Sequence, residues 1–165
     1  IENLIFAATA QAELYCNVNF MQADCIQACD CWEDTYKLYQ SPIQNSGALT
    51  DVVITYYDEN NLVQTWVSTN YDVDVSSTPA RIFTAPGKSY PAHADRINAI
   101  RITYKSGESD SRDIPKDLKQ AILILVGQWY ENRQEAIVGR SVSIIPLTAR
   151  YILDKYRIRT FGISW

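Results

Sequence analysis

The chain has 165 residues and a mass of 18.8 kDa, 47% hydrophobic and 21% charged. These values fit one folded domain with at most a short arm, and they exclude disorder along the whole chain. The longest strongly apolar run, Ala121–Gly127, is far too short to span a membrane, and the net charge of −4 argues against a general nucleic-acid binder. The charge is uneven: residues 1–132 carry a net −8 and residues 133–165 a net +4. A basic C-terminal segment on an acidic body points to an acidic partner, either another copy or another protein. Residues 1–12 carry no basic stretch of a secretory signal, and because the sequence begins at Ile1 a preceding native segment is expected.

Residues 1–19 open with apolar positions Leu4, Ile5, Ala8, Ala12 and Tyr15, a spacing that predicts an amphipathic helix. Ala7, Ala8, Ala10 and Ala12 favour the helix and permit close packing, and Asn17 and Asn19 are the expected terminators. Four cysteines follow at 16, 25, 29 and 31. Their C-x3-C and C-x-C spacings match neither zinc ribbons nor redox dithiols, and four cysteines are too sparse for a disulfide scaffold. In a strand over Cys25–Trp32, period-2 alternation would put Cys25, Cys29 and Cys31 on one face, and the expectation is buried, reduced, unmetallated thiols.

Residues 22–107 read as β. Thr50–Tyr57 (TDVVITYY) is rich in β-branched and aromatic residues, and Asp58–Asn61 then form the polar loop of a hairpin with Leu62–Val67. Tyr71, Val73 and Val75 alternate with Asp72 and Asp74; Ala80–Thr84 is short and apolar; Ile97–Lys105 alternates again. Pro86, Gly87 and Pro91 make 85–92 a loop, and Gly107 marks a break within 106–113.

The remainder reads as helical. Pro115 suits a helix's first turn, with the helix running over 114–133 and Leu118, Ile122, Leu125 and Trp129 on one face. Leu123 and Ile124 lie off that face, on either side of Gly127, so the helix is apolar beyond the usual stripe and is expected to be covered by a second chain or to sit centrally. A second helix over 146–155 carries Leu147, Tyr151 and Ile152. In the closing arm, Arg157 and Arg159 alternate with Tyr156 and Ile158, and Phe161 and Trp165 are its candidate anchors.

Catalytic chemistry is not legible. The single histidine, His93, sits in a loop, and pairing it with Ser89 or Asp95 rests on proximity in sequence alone. Gly87-Lys88-Ser89 mimics the end of a phosphate-binding loop, but Ile82 stands where its first glycine is required. The carboxylate pairs Asp72/Asp74 and Glu33/Asp34 read as solvated faces rather than cation sites. No catalytic, cofactor-binding or metal residue is therefore assigned, and the expectation is a non-enzymatic protein without cofactors.

The ordered pieces Val53–Asp58, Tyr71–Asp74, Thr78–Ile82, Ala85–Pro91 and Ala99–Tyr104 lead into Ile114-Pro115, Gln120–Val126 and Trp129–Arg133, then Ser143–Leu147 and Tyr156-Arg157. This series, over about residues 1–157, resembles the head–tail connector (adaptor) proteins of tailed bacteriophages and gene transfer agents. The resemblance implies a structural virion protein of the particle neck, assembled in the host cytoplasm. It implies about a dozen copies in a ring beneath the portal protein. Such a ring extends the DNA channel, passes packaged DNA without reading its sequence, and meets a downstream tail or stopper component, with no membrane involved. The expected fold class is α+β, a helical bundle with an inserted antiparallel β region in a single connector domain, 1–157, followed by an extended arm, 158–165. The interface candidates are Leu123, Ile124, Gly127, Arg157, Arg159, Phe161 and Trp165. Three departures from the family pattern stand out: the helical stretch usual before Ile1 is short or missing, residues 41–50 are longer and poorer in proline, and 161–165 extend past the typical ending. The alternatives from the residues alone are a small β-rich receptor- or sugar-binding module using its Tyr/Trp surface, and a hydrolase around His93.

Overall fold

The computed structural model describes residues 1–39, 50–131 and 145–158. In chain order these form α1 (Glu2–Cys16), β1 (Ala23–Cys29), β2 (Thr35–Lys37), β3 (Thr50–Tyr57), β4 (Val63–Trp66), a 3-10 turn (Ser68–Asn70), β5 (Tyr71–Asp74), β6 (Arg81–Thr84), β7 (Ile100–Ser106), α2 (Lys116–Glu131) and α3 (Leu147–Leu153). The class is α+β, with the strands between α1 and α2, and every strand pair antiparallel.

Two sheets face each other over a shared core. One has the order β1-β7-β3-β4 and the other β2-β6-β5. The alternation read in β7 sends Ile100, Ile102 and Tyr104 inward, where they meet Cys25, Ile54 and Trp66 of their own sheet and Tyr36, Tyr71 and Ile82 of the other. The β3–β4 hairpin closes as its Asp58-Glu59-Asn60-Asn61 loop predicts. Asp58 Oδ1 accepts from the amides of Asn60 and Leu62, and Asn61 takes the left-handed conformation, φ 59°. Strand β2 is not foreseen from the sequence: three residues carry too little period to read, and β6 holds it in place through Tyr36↔Ile82.

The three helices pack around a second core, made of Ala8, Ala12 and Cys16 of α1, Leu118, Ala121, Ile122 and Leu125 of α2, and Ala149 and Leu153 of α3, with Val18, Phe20, Ile114 and Ile158. Helix α1 stops at Asn17, which adopts φ 55° and ψ 42° while the next amide, Val18, bonds back to Glu13 O. Helix α2 begins directly after Pro115, with Asp117 in its first turn. Its buried face is the one expected, with Trp129 partly buried against it.

Two expectations are corrected, on α1 and on β1, and α3 shows a choice of face that the sequence left open. On α1 the core face is Ala8, Ala12 and Cys16, and Ile5 is largely exposed at the first turn. On α3 the inward residues are Ala149 and Leu153; Leu147 and Tyr151 point to solvent, because packing rather than side-chain size decided which stripe of a seven-residue helix turned in. Strand β1 ends at Cys29, so the shared cysteine face does not extend to Cys31: Cys25 is buried, Cys29 half-buried and Cys31 exposed.

The two cores meet at a tight joint. Glu13 Oε1 accepts from the amides of Phe20 and Met21, Gln22 N donates to Glu108 O, and Glu108 N donates to Phe20 O. Gly107 sits between, at φ 102°, where an added Cβ would lie 2.3 Å from Met21 O. Both the conformation and the space therefore demand glycine.

Candidate functional site: the outward faces of the helices

Each helix turns large apolar side chains away from the core. The outer face of α1 consists of Asn3, Phe6, Ala7, Ala10 and Leu14, all exposed, with Phe6 at 78% and Leu14 at 77% of full accessibility. The helix carries only two charges, Glu2 and Glu13, and neither lies at the middle of that face. On α2, Leu123 (57% accessible), Gly127 and Tyr130 follow i, i+4, i+7 spacing along the outer side. On α3, Leu147 and Tyr151 do the same at i, i+4. A lone surface helix exposes charged residues here, and an outer face rich in large apolar side chains is a candidate contact surface.

A groove of about 440 Å³ runs beside this face, lined by Glu2, Ile5, Phe6, Thr9, Ala10, Glu13 and Met21. Its floor is α1 and its end wall is the joint, where the amides of Phe20 and Met21 hold the Glu13 carboxylate. Phe6, Leu14 and this groove escaped the sequence reading. The available signal was the absence of charge opposite Ala8 and Ala12.

The C-terminal described residues are tied to all three helices. Tyr15 OH donates to Asp154 Oδ1 at 2.6 Å, and Tyr156 OH donates to Asp117 Oδ1 at 2.7 Å. Burial, reinforced by that bond to a carboxylate, pushes the Tyr156 phenol up to about 12. The Arg157 guanidinium lies over the Tyr15 ring, 4.7 Å from its centroid, and Ile158 N donates to Cys16 O at 2.9 Å. Ile158 is itself buried in the helical core.

Among the interface candidates, Leu123 and Gly127 lie on the outer side of α2, and nothing stands within 4 Å of a Cβ placed on Gly127. Ile124 is partly buried against the helical core instead. Arg157, in the coil after α3, is exposed above Tyr15 of α1, whereas Leu123 is on α2. Arg159, Phe161 and Trp165 lie outside the described residues, as do residues 132 and 133 of the expected helix.

The aromatic residues of the β half are committed to structure. Trp32 stacks on Tyr90 at 4.8 Å and tilts against Trp66 and Tyr56, and the His93 ring stands edge-on to Trp32 at 6.3 Å. Their polar ends are spent on backbone carbonyls: Trp32 Nε1 donates to Pro91 O, Tyr90 OH to Glu33 O, Tyr71 OH to Val52 O, Tyr36 OH to Cys31 O and Tyr104 OH to Tyr39 O. Rings whose donors fasten the backbone offer little to a sugar. Of the paired carboxylates, Asp74 forms an ion pair with Arg81 at 2.7 Å and accepts from Ser76 N, and the hydrogen bond from Arg81 holds its carboxyl down at about 2. Among the described residues no group of three or more His, Cys, Asp or Glu side chains converges on a metal position, and no helix is long and apolar enough to cross a membrane.

Comparison with known proteins bears on these helices. No curated protein matches the chain. Among solved structures, it is similar to a chain in the virion of a native gene transfer agent particle, at 19% identity and a TM-score of 0.73, covering 97% of this chain and 78% of that one. A chain from the neck of the native particle, computed with C12 symmetry, gives 18% identity and 0.73, with 97% and 83% covered. A third, from the neck of the empty particle computed with C6 symmetry, gives 18% and 0.72, with 97% and 79% covered. At such identity the likeness is one of fold. Residues 93–157, which hold β7, α2 and α3, match the family model of phage gp6-like head-tail connector proteins. In this C-terminal stretch the chain is similar by sequence to the phage gp6-like head-tail connector proteins, and over nearly its whole length it shares the fold of chains in the virion and neck of gene transfer agent particles.

Proposed function

We propose that this protein is a structural head–tail connector of a phage-like particle. Copies join side by side into a closed ring in the neck, below the portal protein and above the next tail component, and packaged DNA passes through the ring without being read. The observation that carries this is the pairing of the connector match over residues 93–157 with helices whose outward rows are apolar. A protein acting alone gains nothing from Phe6, Leu14, Leu123 and Tyr151 in water, whereas a ring buries them, each contributing about 1.5–3 kcal/mol on full burial. Leu123 and Gly127 serve the contact between copies. The arm beyond Ile158, with Arg159, Phe161 and Trp165, serves docking to the portal.

The test is assembly itself. Purified chain mixed with portal rings should form a complex of fixed stoichiometry by native mass spectrometry. Leu123→Lys should leave the free chain folded while abolishing ring formation. Removing 159–165 should leave a folded protein that no longer binds portal rings; the cut must spare Ile158, which is part of the helical core. Unfolding of the free Leu123→Lys protein would return Leu123 to the core, and a wild-type chain that stays monomeric beside portal rings would sink the connector reading.

A further inference from the structure

Helices α1 and α2 carry outward rows of opposite relief. The row on α2 is Gln120, Leu123, Gly127 and Tyr130, and the row on α1 is Asn3, Phe6, Ala10 and Leu14, all of them exposed. Gly127 has no evident use inside its own chain. Glycine within a helix costs stability relative to alanine, and among the described residues nothing lies within 4 Å of a Cβ added there. On an outer helix face such a glycine leaves a notch open to close approach by another molecule.

The two rows fit when they run antiparallel. With Phe6 set opposite Gly127, each step along one helix is matched by a step back along the other, so Ala10 falls opposite Leu123 and Asn3 opposite Tyr130. The large apolar side chain at the centre of each row then meets the small residue of the other, as close helix packing requires. Leu14 falls beside Lys119, whose methylene stem covers it. Lys116, exposed at the start of α2, comes to the carboxyl end of α1, which carries Glu13 and no basic residue in its last turn. At the opposite end Glu2 and Glu131 approach each other, both exposed, where water and salt weaken their repulsion.

These rows cannot meet within one chain, where α1 and α2 pack through their inner faces. The direction agrees with a contact between copies. Tyr156 OH bonds to Asp117 and Ile158 N to Cys16 O, so α1 ends where α2 begins and the two helices run antiparallel. Neighbours in a ring of about a dozen copies differ by a rotation of only about 30°, which keeps α1 of one copy nearly antiparallel to α2 of the next. Helix α3 is a poorer partner for the α2 row, because Leu147 and Tyr151 are both large and only one of them could find the notch. A second α2 would also set Leu123 over Gly127, but a two-fold pair closes at two copies and leaves the α1 row bare.

We propose that the exposed row of α1 on one copy packs antiparallel against the exposed row of α2 on the next, with Phe6 seated over Gly127 and Leu123 over Ala10. This rests on the connector reading for the ring, and goes beyond it in naming the two faces that meet and their register.

The experiment is a size exchange in the full chain, read by native mass spectrometry with portal rings. Gly127→Leu fills the notch on an open helix face, so the free protein should keep or raise its thermal midpoint while ring assembly weakens by about tenfold or more. Adding Phe6→Ala should restore assembly, because the bulk has changed sides. A short bismaleimide then reads the contact directly in a chain carrying Cys31→Ser, Ala10→Cys and Leu123→Cys. The expected products are a ladder of covalent dimers, trimers and longer chains that requires both substitutions to cysteine. Covalent dimers from Leu123→Cys alone would assign the row to a two-fold α2 pair and overturn the proposal. So would rings that form equally well with Gly127→Leu, a double variant as weak as the single one, or wild-type rings whose cysteine variant gives no ladder. Each of these rejects the pairing and leaves the connector reading in place. A ladder from a chain that ignores portal rings rejects the connector reading alone, and a chain that gives neither rings nor ladder rejects both.

Discussion

The two halves of this molecule solve the problem of a small core in opposite ways. The β half is filled by large residues, Tyr36, Trp66, Tyr71 and Tyr104 among them, whose polar ends fasten its loops, so it is closed on itself. The helical half brings three helices of 15, 16 and 7 residues together over alanines, Ala8, Ala12, Ala121 and Ala149, and leaves Phe6, Leu14, Leu123 and Tyr151 in water. Alanine contacts let helix axes approach closely but bury little area per residue. The bulk that would have stabilised the helices from inside is displayed outside. A β half closed on itself beside a helical half that displays large apolar side chains fits the connector role proposed above.

The comparison can be broken most severely inside the cores. Tyr104→Ala should cost about 3–5 kcal/mol, because it removes a fully buried ring and frees the Tyr39 carbonyl it holds. Leu118→Ala should cost about 2–5 kcal/mol in the free chain. Urea unfolding of each variant checks this. A Leu118→Ala cost well under 1 kcal/mol would mean that the helical half contributes nothing to the free protein's stability, contrary to its closed core.

The joint offers a smaller and more telling change. Gly107→Ala should cost about 1–3 kcal/mol from its φ of 102° alone, with the Met21 carbonyl forced aside in addition. Amide hydrogen exchange should show faster exchange at Gln22 and Glu108, whose amides make the bonds across the joint. Unchanged exchange there would show that the halves are coupled elsewhere.

The smallest effect separates the thiols and the alkaline limit. Burial pushes the Cys16 thiol from 9.0 up to about 12, while Cys31 is exposed. A maleimide at neutral pH should label Cys31 quickly and Cys16 only when the protein unfolds. The folded state holds the Cys16 and Tyr156 protons more tightly than the unfolded chain does, so their contribution is complete below about pH 9. It is lost as pH rises toward 12. Thermal melts should therefore be flat in this respect from pH 7 to 9 and fall above it. Labelling of Cys16 as fast as Cys31 would show that the helical half opens readily in the free protein, and would sharpen the contrast between the halves.

Much of this was legible in the residues. β3 was bounded at Thr50 and Tyr57 by its run of β-branched and aromatic residues, the hairpin by Asp58 and Asn61, and the start of α2 by Pro115. Such signals are local: propensity, turn chemistry and a strong period act within a few residues of one another. The outer position of Leu123 was legible for the same reason, since a 16-residue helix carries enough period to separate two faces. The connector likeness was legible as an ordered series of such pieces, which the match over 93–157 supports.

The tertiary structure alone decided what depends on distant partners. The order β1-β7-β3-β4 pairs strands about 75 residues apart, and β2 exists because β6 lies beside it. Ala149 and Leu153 lie on the inner side of α3 and Leu147 and Tyr151 on the outer; Leu147 and Leu153 are the same residue type, so the placement of the helix against α1 and α2, not side-chain type, decided. The groove beside α1 arises where a helix, a left-handed Asn17 and the Gly107 joint meet, and no window of sequence holds all three. The sequence by itself determined which of the longer segments are helix and which are strand. Close packing, which weighs shape across the whole chain at once, decided which of their faces turned inward and which outward.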